Sequence, residues 1–131
     1  MLGPMQWKEE SIDDVVVIML NRGLKGGVEA ALKDRIDELV RDGRLQLLIS
    51  LRDLPYVDST ELGRLIRCHI AVRQAGGRVR LCDLSERMMT LMRVSRLDTV
   101  LDIYHSVDEA LAAIHGQPGS EEAAAAPADP A

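Results

Sequence analysis

Phenylalanine is absent from these 131 residues, and aromatic side chains make up only 2% of them. Stacking platforms for single-stranded nucleic acid and aromatic cages for cations are therefore not expected. The core has to be built from Leu, Ile, Val, Met and Ala instead. Cysteine is equally scarce: Cys68 and Cys82 lack metal-ligand spacing and read as reduced thiols rather than a disulfide. No apolar run approaches the ~20 residues that span a bilayer. Nothing at the start of the chain has the pattern of a secretory signal, so a soluble, cytoplasmic protein without membrane insertion is the expectation. The glycines of the stretch Asn21–Gly27 match neither common nucleotide-binding spacing. Paired carboxylates, a Ser–His–Asp order and metal motifs are also missing. Neither an enzyme nor a cofactor is expected.

A hydrophobic content of 47% fits one globular domain with a core of its own. The net charge of −5 hides an uneven distribution. Between Ser59 and Leu97 eight arginines stand against three acids, whereas from Asp98 onward there are seven acids and neither Lys nor Arg. A basic middle can attract an acidic partner or a phosphorylated ligand. The plainer reading puts these arginines on the solvated faces of two helices. With an acidic pI and no groove-reading motif, direct binding of nucleic acid is not expected.

Hydrophobic periodicity divides the chain into short elements. Gln6 to Ser11 is a weak strand candidate, turned at Ile12–Asp14 into Val15–Leu20, a β-branched run that reads as a strand covered on both faces. Val28 to Asp42 carries a helical stripe of Val28, Ala31, Leu32, Ile36, Leu39 and Val40, and Gly43 ends it. Leu45–Leu51 is a buried strand, and the helix-then-strand order predicts a parallel crossover. A second helix spans Ser59 to Ala75, stopped by Gly76 and Gly77. Its apolar face includes His69, which reads as a core or interface residue rather than a catalytic base. Arg78–Cys82 is a third short strand, with Val79 and Leu81 on one side. Ser85–Val94 is a helix with Met88, Leu91 and Met92 inward and Ser85 or Asp83 as its cap. Thr99–Tyr104 holds a short strand and Val107–Ile114 a last helix. The expected architecture is α/β: one domain over residues 1–116, a mixed sheet of four or five strands flanked by about four helices. Residues 117–131, rich in Ala, Pro and acid, are expected to be a disordered tail.

The run Val57-Asp58-Ser59-Thr60-Glu61-Leu62-Gly63 is the most informative. It sets two hydroxyls at the start of a helix, beside the end of a strand, where unpaired N–H groups and the helix dipole favour negative charge. Asp58 and Glu61 have the spacing of a capping box. Ser59 has the position of a phosphate acceptor. Both roles can coexist, because Asp58 can cap while Ser59 accepts.

That run, together with Ala75–Cys82, Leu91–Leu97 and Val107–Leu111 in the same order, resembles the STAS domain, and more closely the bacterial anti-sigma-factor antagonists. The similarity covers residues 5–115. It implies a protein–protein switch: the unmodified form binds an anti-sigma factor with serine kinase activity and so frees a sigma factor. Phosphorylation releases that partner, and a phosphatase resets the switch. By position Asp58 matches the acid before the phosphoserine, Ser59 the acceptor, and Leu62 and Gly63 the residues after it. The partner surface expected on this basis is Asp58, Ser59, Thr60, Glu61, Leu62 and Gly63. Glu61 departs from the family, which usually has Gly there. A STAS domain that is a non-phosphorylated subunit of a lipid-transport ABC complex or a signalling scaffold is the alternative. Self-association is left open.

Overall fold

The computed structural model describes residues 7–20, 28–54 and 57–116. Strand β1 (Trp7–Ile12) turns back at Asp13–Asp14 into β2 (Val15–Leu20), giving an antiparallel pair. Helix α1 (Val28–Arg41), β3 (Gln46–Ser50), α2 (Ser59–Gln74), β4 (Arg78–Cys82), α3 (Glu86–Val94), β5 (Asp102–Tyr104) and α4 (Val107–Gly116) follow in alternation. A 3-10 turn, Leu97–Thr99, leads into β5. The expected mixed sheet is therefore present, with five strands and four helices among the described residues. Residues 21–27 and residues 117–131, the expected tail, lie outside them.

The sheet order is β1-β2-β3-β4-β5, with every pair after the first parallel. Strands added in one direction through right-handed crossovers place all their helices on one side. Leu32, Ile36 and Leu39 of α1, Leu62, Leu65 and Val72 of α2, and Met88 and Met92 of α3 accordingly pack on one face. They meet Val16, Ile18, Leu47, Ile49, Val79 and Leu81 there. The opposite face carries Val15, Val17, Leu48 and Cys82 and is covered by α4 through Ala110. Both faces being covered explains why β2 reads as an unbroken apolar run. At the edge, β1 is exposed and charged, which blunts it against further pairing. Arg35 of α1 grips both oxygens of Glu9 on that strand at 2.8–3.1 Å.

The ends of α1, α2 and α3 fall within a residue of where the sequence places them, while α4 runs two residues past the expected Ile114, to Gly116. Gly43 (φ +80°) and Gly76 (φ +94°) adopt the left-handed conformation that terminates α1 and α2. Ser85 caps α3 by accepting from the N–H of Met88 at 3.1 Å. Asp83, the other candidate for that cap, is instead left-handed itself (φ 63°) and bonded elsewhere.

Candidate functional site

Beyond β3 the chain is held on the helix-bearing side by three buried side chains, Leu51, Leu54 and Val57. Leu54 closes a tight turn by donating its N–H to the Leu51 carbonyl at 2.9 Å. Asp58 then takes an extended conformation (φ −83°, ψ 175°) and starts α2. Its Oδ1 accepts from the Glu61 N–H at 2.8 Å, and Glu61 Oε1 accepts from the Asp58 N–H at 3.0 Å. The capping box is complete, and the Glu61 carboxylate is turned inward to 5% exposure. Leu62 is likewise buried in the core.

Ser59 and Thr60 are the outward residues of this first turn. Both are exposed, while Asp58 and Gly63 are half-buried. Of the six residues expected to face a partner, Ser59 and Thr60 form the open surface, and Glu61 and Leu62 hold it from beneath. A Cβ added at Gly63 would meet nothing within 4 Å, so that glycine leaves the second turn low and open. The hydroxyl of Ser59 thus lies outside the core, at the positive end of a 16-residue helix and at the carboxyl end of a parallel sheet. Open α/β sheets usually carry their sites at that edge.

The remaining candidates occupy other places. His69 is buried on α2, with no hydrogen-bond partner for its Nδ1 among the described residues, and burial holds its pKa below the ordinary value. Cys68 and Cys82 are both free and belong to opposite faces of the sheet. Burial pushes the Cys82 thiol up to about 12, which keeps it protonated and inert. Among the described residues no group of His, Cys, Asp and Glu could hold a metal ion. No helix there is long and apolar enough to cross a membrane. A cleft of about 160 Å³ between α1 and α2 has Leu32 and Ile36 in its wall and Arg64 and Arg67 beside them. Ser59 does not line it.

The profile of the STAS domain matches residues 6–110. The chain belongs to the STAS domain family. A Bacillus subtilis relative, an anti-sigma-B factor antagonist, is 35% identical over 72 residues, covering 55% of this chain and 65% of its own. The anti-sigma F factor antagonist of Paenibacillus polymyxa is 24% identical over 108 residues, covering 82% of this STAS chain and 92% of its own. Among solved structures, a candidate anti-sigma factor antagonist of Thermotoga maritima superposes with a TM-score of 0.71 at 25% identity. That match covers 80% of this chain and 91% of the other. The phosphorylated form of SpoIIAA from Bacillus shares the STAS fold, with a TM-score of 0.66 at 19% identity over 83% of this chain and 99% of that one.

Two polar residues of this STAS domain were not singled out together by the sequence. Ser50 and Asp83 stand at the ends of neighbouring strands, and the Ser50 hydroxyl donates to Asp83 Oδ2 at 2.6 Å. They are 33 residues apart, and only the parallel pairing of Ser50 with Cys82 brings them together.

Proposed function

We propose that this STAS domain is an anti-sigma-factor antagonist, a non-catalytic switch that binds an anti-sigma factor with serine kinase activity through the surface around Ser59. The observation that carries the proposal is an exposed hydroxyl on the first turn of α2, seated over a buried capping box. A phosphate there would add about −1.5 to −2 charges at neutral pH. The helix dipole favours that charge by about 0.3–1 kcal/mol. Glu61, two residues away, does not present its carboxylate to the phosphate position, because that group is bound inward to the Asp58 N–H. The fold therefore tolerates the modification, while a partner packed on Ser59 has to desolvate it. A coupling of about 1–3 kcal/mol changes binding about 5- to 150-fold, which is sufficient for a switch.

Incubating the protein with its cognate anti-sigma-factor kinase and ATP tests this. Intact mass is expected to show one phosphate, lost in Ser59→Ala, and Ser59→Asp is expected to release the kinase while keeping its fold. An unmodified wild-type protein removes the phosphorylation half of the proposal. Undiminished binding by Ser59→Asp removes the switch. A cytoplasmic location and a resetting phosphatase belong to the same reading.

The second reading is a STAS subunit of a lipid-transport ABC complex or a scaffold, with no phosphate chemistry. Glu61 favours it, since a carboxylate that completes the cap strengthens the helix start as a purely structural element. Co-purification with a transporter ATPase instead of an anti-sigma factor would decide for it.

A further inference from the structure

The Asp83 side chain lies across the end of the sheet from the acceptor helix, in a position with a conformational cost. Its φ of 63° is left-handed, a region that residues other than glycine rarely occupy. Such strain persists only where surrounding contacts fix it. The Asp83 carboxylate is held by the Ser50 hydroxyl at 2.6 Å and, on the same Oδ2, by the Cys82 thiol at 3.6 Å. Ser50 is 2% exposed, so its hydroxyl is shielded from water and depends on protein partners. Because its proton points to Asp83, the lone pairs of Ser50 Oγ are left for the Arg52 N–H, 3.3 Å away. One residue earlier, the Leu51 N–H donates to the Cys82 carbonyl at 3.0 Å, so β4 grips the same segment through its backbone.

The geometry points to Asp83 as a positioning residue for the acceptor: through Ser50 it anchors residues 51–54, the segment that follows β3, and with it the described residues 57–58 that lead into α2 and Ser59. Buried Leu51, Leu54 and Val57 hold this segment from the helix-bearing face of the sheet. The Asp83–Ser50–Arg52 chain holds it from the other, since Ser50 shares a face with Leu48 and Cys82. The inference rests on the reading of Ser59 as the acceptor. What it adds is that a partner meets a preorganised segment. When the competent conformation is less populated, apparent affinity falls by that fraction. Once bound, the segment is ordered by the partner, so the loss belongs in KM rather than kcat.

Asp83→Gly is the informative variant, because glycine adopts the left-handed conformation freely and removes only the carboxylate. Two measurements on the full chain decide the matter. Amide hydrogen exchange needs no partner: in Asp83→Gly, exchange at Arg52 and Leu54 is expected to quicken about tenfold, with β2 and β3 unchanged. With the anti-sigma-factor kinase captured on wild-type protein, and ATP, KM for modification of Ser59 is expected to rise about tenfold at constant kcat. Asp83→Asn keeps an acceptor oxygen and tolerates the conformation, so it is expected to restore both readouts. Ser50→Ala is expected to reproduce the defect, and the double variant to add nothing to it.

Unchanged exchange at Arg52 in Asp83→Gly overturns the inference, as does a failure of Asp83→Asn to rescue. A uniform loss of protection across the core strands also overturns it, since Asp83 would then only stabilise the fold. If the wild type takes no phosphate at all, the reading of Ser59 fails, while the exchange measurement still decides whether Asp83 anchors the segment.

Discussion

Arg80 has no surface exposed to solvent, and its Nη1 donates to Oε1 of Gln46, on the neighbouring strand, at 2.7 Å. The arginine lies on the α4 face of the sheet, beside the Arg78–Asp102 ion pair at 2.9 Å. A hydrogen bond from a buried charged group is about twice as strong as one between neutral groups. Gln46→Leu is therefore expected to destabilise the fold by about 1–3 kcal/mol, because it removes the acceptor of this charge-assisted bond. Arg80→Met, which fills similar volume, is expected to be neutral within about 1 kcal/mol or stabilising. Urea unfolding midpoints of the two variants test the order.

Replacing Glu61 by glycine removes both a cap and a helix-favouring side chain. The return bond to the Asp58 N–H is lost, and glycine inside a helix costs about 1 kcal/mol by itself. Glu61→Gly is expected to lower stability by about 1–2 kcal/mol. Glu61→Gln keeps the acceptor oxygen and is expected to stay within about 0.5 kcal/mol. Thermal denaturation of both variants is the check.

His69 makes stability depend on pH. Its pKa is lowered chiefly by burial. Asp102 pulls it back up, Arg73 and Arg78 depress it further, and a backbone hydrogen bond at Val79 raises it. A histidine whose folded pKa lies below its unfolded value binds more protons unfolded. Its contribution is complete above the ordinary value of about 6.5 and is lost as pH falls below it. Unfolding free energy is expected to drop between pH 7.5 and 5, and His69→Gln is expected to flatten that slope. An identical slope in the variant would exclude His69 as its source.

Gly77 stands where α2 passes into β4, and a Cβ there would strike the Leu45 carbonyl oxygen and come within 2.9 Å of Val72 Cγ1. Its own N–H donates to the Val72 carbonyl at 2.9 Å, so the backbone has little room to retreat. Gly77→Ala is expected to cost about 2 kcal/mol or more through overpacking. Gly43→Ala meets open space and pays only for its left-handed φ, about 1–2 kcal/mol. Denaturant titration of the pair separates a steric requirement from a conformational one.

Much of this fold is legible locally. The β-branched run of β2, the stripe of α1 and the Gly43 stop mark their elements through side-chain periodicity and backbone freedom alone. The Asp58–Glu61 box is equally local, since its partners are three residues apart. By contrast, the arginines expected on solvated helix faces include one, Arg80, that is sealed inside the sheet. The alternation of β4 separates Val79 and Leu81 from Arg80 and Cys82, but does not reveal that a helix covers the second face.

The sequence by itself determined that a hydroxyl pair opens a capped helix after a buried strand, because caps and periodicities act within a few residues. Only the tertiary structure decided that Glu61 turns its charge inward and that Ser59 is open to solvent. It alone decided that Asp83 reaches Ser50, a contact made by strand register between residues 33 positions apart. The physical claim beneath these readings is that the α2 entrance can gain negative charge without losing its packing. An acidic residue substituted at position 59 that unfolded the domain would end it.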